Sequence, residues 1–191
     1  MTDEGASAKG YLAIVLHAHL PYVRHPEYED SLEENWLYEA ITDTYIPLLM
    51  VLEDLVRDGV DFRLTLSLTP TLSSMLLDPL LQYRYERRLR NLLDLAGKEI
   101  ARTQAEPALN RLARIYHERL ERISDAYLHH YGKDLVRAFG NLQALGNVEI
   151  IASAATHGYL PMLSVNPAAV RAQVRVGVDH HRRLFGGRPE G

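Results

Sequence analysis

The sequence predicts an α/β fold built on parallel strands. Three short runs have strand character: Leu12–Leu16 (LAIVL) is continuously apolar, Phe62–Leu68 (FRLTLSL) alternates, and Val148–Ala155 (VEIIASAA) is apolar with small residues. Between them, apolar residues recur every three or four positions, as on amphipathic helices. Strands separated by helices pair in parallel through right-handed crossovers, in a sheet that is open or closed into a barrel.

In chain order, residues 1–9 (MTDEGASAK) read as a flexible polar tail and residues 10–191 as one domain. After the first strand, Ser31-Leu-Glu-Glu34 has the capping-box pattern, in which hydroxyl and carboxylate each satisfy a backbone N–H, so a helix is expected to start there. It passes through Trp36, Ala40 and Ile41, kinks or breaks before Pro47, and resumes to about Arg57. Gly59 and Gly146-Asn147 mark helix-to-strand turns. Asp78-Pro79 supplies an N-cap and a proline at the first helical position, opening a helix from Leu80 to Arg102 in which Gly97 is a weak point. After Pro107 the stripe Leu109, Leu112, Tyr116, Leu120, Ile123, Tyr127 predicts another amphipathic helix. Asn166-Pro167 repeats the cap signal for a last helix to about Phe185. The connection between the second and third strands is too long for a simple crossover, and about 71–145 reads as a helical insertion. Gly186–Gly191 has the character of a turn into a further strand, so the sheet is either small and open or the front part of a larger barrel.

The chain has 191 residues, with 21 Lys plus Arg against 25 Asp plus Glu, a net charge of −4. That balance gives no general attraction to nucleic acid or to an anionic membrane. Cysteine is absent, which excludes disulfides, thiolate metal sites and a cysteine nucleophile. With no secretory signal pattern and no apolar run of membrane-spanning length, a soluble cytoplasmic protein is expected. The sequence contains no P-loop, GxGxxG or GxSxG motif.

In parallel α/β folds the chemistry sits at the carboxyl ends of the strands. There the first strand presents His17-Ala-His19-Leu-Pro21-Tyr22, the second Thr69-Pro70, and the third Thr156-His157-Gly158-Tyr159-Leu160-Pro161. A spacing of two puts His17 and His19 on one face of a strand, where His157 can join them. Three readings stand: a zinc site with one open position, a rim of hydrogen-bonding groups for sugar hydroxyls, or histidines satisfied by neighbouring backbone. The metal reading corresponds to a metal-dependent carbohydrate deacetylase or amidohydrolase. Trp36, the one tryptophan, packs in the core or offers a flat apolar surface to a sugar. Glu39 reads as solvated. His129-His130 and His180-His181 read as surface residues, because neighbours on a helix diverge by about 100°. Arg84, Arg87, Arg88 and Arg90 read as a solvated basic face.

The segment His17-Ala-His19-Leu-Pro21-Tyr22-Val23-Arg24 resembles the N-terminal motif of family-57 glycoside hydrolases, in their 1,4-α-glucan branching enzyme branch. Asn35–Ile41 with Tyr45–Leu49, and the long segment Gly146–Pro161, resemble the same family, as does Gly187–Gly191 with the preceding helix. The resemblance covers about residues 10–191. It implies that this chain is the N-terminal portion of an incomplete (β/α)7 barrel with a helical insertion. It implies cleavage of an α-1,4-glucan bond with retention and transfer to a 6-hydroxyl, on amylose or a glycogen-like polysaccharide, with no metal or other cofactor. Retaining chemistry needs two carboxyl groups about 5–5.5 Å apart. The resemblance puts the glutamate nucleophile on a strand after Gly191 and the acid/base aspartate further on. Glu39, Glu149 and Glu190 match neither. It gives His17, His19 and His157 as polar contacts to the sugar and Trp36 as an aromatic contact. The chain by itself is therefore expected to be inactive, and poorly stable with its sheet edge uncovered.

Overall fold

The computed structural model describes residues 10–191; the tail read at 1–9 lies outside the described residues. Strands β1 (Val15–Ala18), β2 (Leu64–Leu68) and β3 (Val148–Ile151) form a parallel sheet in that order. His17 pairs with Ser67 across β1 and β2, and Thr65 with Glu149 across β2 and β3. Side chains alternate between faces of a sheet. One face therefore carries Ala18, Leu66, Leu68, Val148 and Ile150, all buried. The other carries Val15, His17, Thr65, Ser67, Glu149 and Ile151, and no helix packs over it among the described residues.

The first strand begins later than its apolar run suggests. Tyr11 and Leu12 are 97% and 87% exposed, and pairing starts at Val15. The third strand stops at Ile151: the Ala152 N–H donates to the Gly191 carbonyl, and the Ala155 N–H to the Gln173 carbonyl of the last helix.

After β1 and a loop, helix α1 (Glu34–Ala40), a π-helical turn (Ile41–Tyr45) and α2 (Ile46–Arg57) run into one another without a break. Pro47 lacks an N–H, and the widened turn in front of it accommodates that loss where a kink or a break was expected. The capping box does not form. Ser31 bonds Glu33 instead, and Glu34 turns inward to a buried guanidinium.

Four helices lie between β2 and β3: α3 (Pro70–Leu76), α4 (Pro79–Arg102), α5 (Pro107–Asp125) with a π-helical turn at Ala126–His130, and α6 (Leu135–Ala144). Asp78 caps α4 by accepting from the N–H groups of Leu80 and Leu81, and Gly97 does not interrupt the helix. Leu49 and Leu52 of α2, Leu72 and Met75 of α3, and Leu135 and Phe139 of α6 belong to the core beneath the sheet. The α5 stripe is buried only at Leu120, Ile123 and Tyr127; Leu109, Leu112 and Tyr116 are exposed, since the outer half of the α4–α5 hairpin projects beyond the core. After β3 come α7 (Leu160–Leu163) and α8 (Pro167–Phe185), the latter capped by Asn166. No helix is long and apolar enough to cross a membrane among the described residues.

Of the arginine row on α4, Arg90 is exposed as expected, but Arg84, Arg87 and Arg88 are not a solvated face. Arg84 is buried, with Nη1 2.5 Å from Glu34 Oε1, and its guanidinium also donates to the carbonyls of His25 and Tyr28. Arg87 pairs with Glu29 and Asp30, and Arg88 with Asn35 and Glu39. Charge repulsion across α4 is thereby relieved, and the loop between β1 and α1 is tied to that helix.

Candidate active site

The uncovered sheet face ends in histidines. His17 lies in β1 and His19 just past it, both facing the open side. Each is held through Nδ1: His17 by Ser67 Oγ at 3.1 Å, His19 by Thr69 Oγ1 at 3.0 Å. Ser67 and Thr69 are buried beneath them on the neighbouring strand. Thr69 is also the N-cap of α3, accepting from Leu72 N–H, so one hydroxyl fixes both a helix start and an imidazole.

His157 reaches the same place from the loop after β3. Its ring centroid lies 4.1 Å from that of His19 and 4.8 Å from that of His17, while His17 and His19 are 6.0 Å apart. The rings are tilted 33–38° to one another. His157 has a φ of 56°, in the left-handed region that non-glycine residues seldom occupy. The turn is pinned from α8: Gln173 Oε1 accepts from Thr156 N–H at 2.9 Å, Nε2 donates to Thr156 Oγ1 at 2.8 Å, and the Gln173 carbonyl accepts from Ala155 N–H at 3.0 Å. Gly177, one turn further, lets the helix close on the loop. A Cβ there would stand 2.1 Å from the Ser153 carbonyl oxygen, so no other residue fits without displacing backbone.

Burial lowers the affinity of His19 for a proton, and the neighbouring His157 and His17 lower it further. The centre of the cluster therefore favours neutral imidazole, a group that donates from one nitrogen and accepts at the other. That suits a hydroxyl-rich neutral ligand better than an anion.

The structure brings together three of the four residues read as site residues. Trp36 is about half exposed on α1, so the core role is not the one it takes, and no imidazole of the cluster pairs with its ring among the described residues. Tyr22 and Tyr159, on the loops that follow β1 and β3, and Met162 in α7 are also exposed. For the metal reading, the imidazoles pack against each other's faces, and among the described residues no group of three His, Asp or Glu side chains is arranged to hold an ion. A hollow of about 770 Å³ lies at the opposite, amino-terminal end of the strands, bordered by Ile14, Arg63, Glu149 and Glu190. It is space along an uncovered sheet face, away from the strand ends where chemistry is built.

One expectation fails here. His180 and His181 are not surface residues: His181 is buried against Phe185, and His180 Nε2 lies 2.8 Å from Ser73 Oγ. The Ser73 hydroxyl donates to the Thr69 carbonyl, so His180 supplies the N–H to Ser73 and braces the turn that carries Thr69. Residues missed by sequence reading are Ser67, Gln173, Gly177 and His180; Thr69 is placed at a strand end but given no role. The first was legible, since Ser67 shares a face with Thr65 in the alternating run; the α8 residues carry no local signal.

A parallel sheet with packed helices on one face, and hydrogen-bonding side chains gathered at its carboxyl ends on the other, is the arrangement on which α/β enzymes build their active sites. Comparison with known proteins gives the class a family. Residues 13–191 match glycosyl hydrolase family 57, and the chain belongs to that family. It is 37% identical over 189 residues to the 1,4-alpha-glucan branching enzyme TK1436 of Thermococcus kodakarensis, covering 96% of this chain and 26% of that protein. Among solved structures it resembles the alpha-amylase AmyC of Thermotoga maritima, with a TM-score of 0.88 and 44% identity over 94% of this chain and 34% of that one. It likewise resembles the family-57 branching enzyme of Pyrococcus horikoshii, with a TM-score of 0.89 and 36% identity over 96% and 34%. The chain thus spans between a quarter and about a third of these relatives' length.

Proposed function

We propose that this chain is the N-terminal part of a 1,4-α-glucan branching enzyme, forming one wall of its glucan cleft within an incomplete (β/α)7 barrel. The observation that carries this reading is the meeting of His17, His19 and His157 on the open sheet face. The three imidazoles contact sugar hydroxyls there through their ring nitrogens, and Trp36 covers an apolar sugar face further along the cleft. The glutamate nucleophile and the acid/base aspartate of a retaining mechanism come from sequence after Gly191. This chain alone then binds and orients the donor glucan without breaking it.

The likeness to an alpha-amylase favours a second reading, hydrolysis of the same bond. Both use this wall and differ in the acceptor, a glucan 6-hydroxyl or water. Linkage analysis of products made from amylose by the full-length protein separates them, since only branching creates α-1,6 bonds. Calorimetry of the 191-residue chain with maltoheptaose is expected to show weak binding without turnover, lowered at least tenfold by His157→Ala. Binding unaffected by that change, or turnover by this chain, overturns the proposal.

A further inference from the structure

We infer that Gln173 is the positioning residue of this site, holding the strained Thr156–His157 turn so that the His157 ring stays against His19. This rests on the reading of His157 as a glucan contact. A left-handed backbone at a non-glycine residue persists only where its surroundings over-determine it. Here the surroundings are one side chain and one carbonyl. The Thr156 N–H can only donate, so the carboxamide must turn its oxygen to it. The NH₂ group then faces the Thr156 hydroxyl, which accepts. With the Gln173 carbonyl accepting from Ala155 N–H, three hydrogen bonds from one helical residue fix two consecutive residues ahead of His157. His157 N–H closes the turn onto Ala154 O at 2.9 Å. Gly177 lies four positions on, on the same face of α8, and sets the distance at which Gln173 can reach. No residue on β3 itself makes this contact. The third imidazole is therefore aimed by the helix after it.

Gln173→Leu keeps the side-chain bulk and removes both side-chain bonds. Gln173→Glu keeps both, since a carboxylate accepts from Thr156 N–H and from the Thr156 hydroxyl once that hydroxyl rotates to donate. The turn is exposed to solvent, so both variants are expected to fold, as the backbone amide spectrum reports. The readout is the imidazole carbon–proton NMR spectrum of the chain titrated with acid, together with the proton–proton cross-peaks between the rings. In wild type, the His157 and His19 rings lie against each other, and His19 titrates below an ordinary histidine. With Gln173→Leu the inter-ring cross-peaks are expected to vanish and the His19 midpoint to rise toward the ordinary value. With Gln173→Glu the cross-peaks are expected to remain. Maltoheptaose affinity should fall severalfold in the leucine variant alone. Inter-ring cross-peaks that persist in the leucine variant overturn the inference. Their disappearance from both variants alike does so too, because the two hydrogen bonds that the glutamate keeps would then not be what holds the ring. If wild type binds no glucan, the functional reading fails, while the spectra still decide what holds His157.

Discussion

Removing the Glu34 carboxylate tests how the loop between the first histidines and α1 is held. Glu34 and Arg84 have side chains only 1% and 8% exposed, with Oε1 and Nη1 at 2.5 Å. Glu34 also accepts from His25 N–H at 3.0 Å and from the Tyr38 hydroxyl at 2.8 Å. Glu34→Ala strands a buried guanidinium and orphans two further donors. Breaking a buried pair costs about 3–5 kcal/mol. The carbonyls of His25 and Tyr28 still receive Arg84, which puts the expected loss near the lower end, about 3 kcal/mol. For a chain of this size that lowers the melting midpoint by about 6–12 °C. The pair itself need not be net stabilising, because both ions give up hydration. Glu34→Leu combined with Arg84→Met, which removes both charges, should therefore lose less than Glu34→Ala alone. Urea melts of Glu34→Leu, Arg84→Met and the double give the coupling energy. A Glu34→Ala cost below about 1 kcal/mol, or a double variant losing the sum of the singles, would refute the account of this pair as a mutually dependent buried clamp.

Thr69→Val removes the N-cap of α3 and the partner of His19 together. About 1 kcal/mol of stability should go with the cap, and maltoheptaose binding measured by calorimetry should weaken more than the loss of stability accounts for; unchanged affinity would show that Thr71 Oγ1, 3.3 Å from His19 Nδ1, holds the ring without Thr69. Acid weakens the fold through its histidines. His19, His180 and His181 all hold protons less readily than free histidine, each chiefly because of burial. A histidine whose folded midpoint is depressed stabilises the fold above the unfolded midpoint of about 6.5, and that contribution is lost as pH falls through the lower folded midpoint. Urea midpoints should accordingly fall between about pH 7 and pH 5, and a rise over that range would contradict the directions given.

The strand-and-helix order, the caps at Asp78 and Asn166 and the family could all be read from sequence. They depend on short-range chemistry: a cap lies within three residues of what it caps, and the motif His17–Arg24 is continuous. The spacing of His17 and His19 put them on one face for the same reason. The partition of the apolar residues was less accessible. Leu12 reads as buried and is exposed, because whether an apolar residue is covered depends on what packs against that part of the sheet. The capping box at Ser31–Glu34 fails because Arg84, fifty residues away, offers Glu34 a stronger partner. Likewise the row of arginines looks solvated until the loop carrying Glu29 and Asp30 is laid against it. His157 could be nominated from its place after a strand, but not its contact with His19. That contact needs a left-handed turn, a carboxamide one helix away and a glycine at the point of closest approach. These groups meet only after the chain has crossed over and returned, and their pairing follows from packed geometry rather than from neighbouring residues.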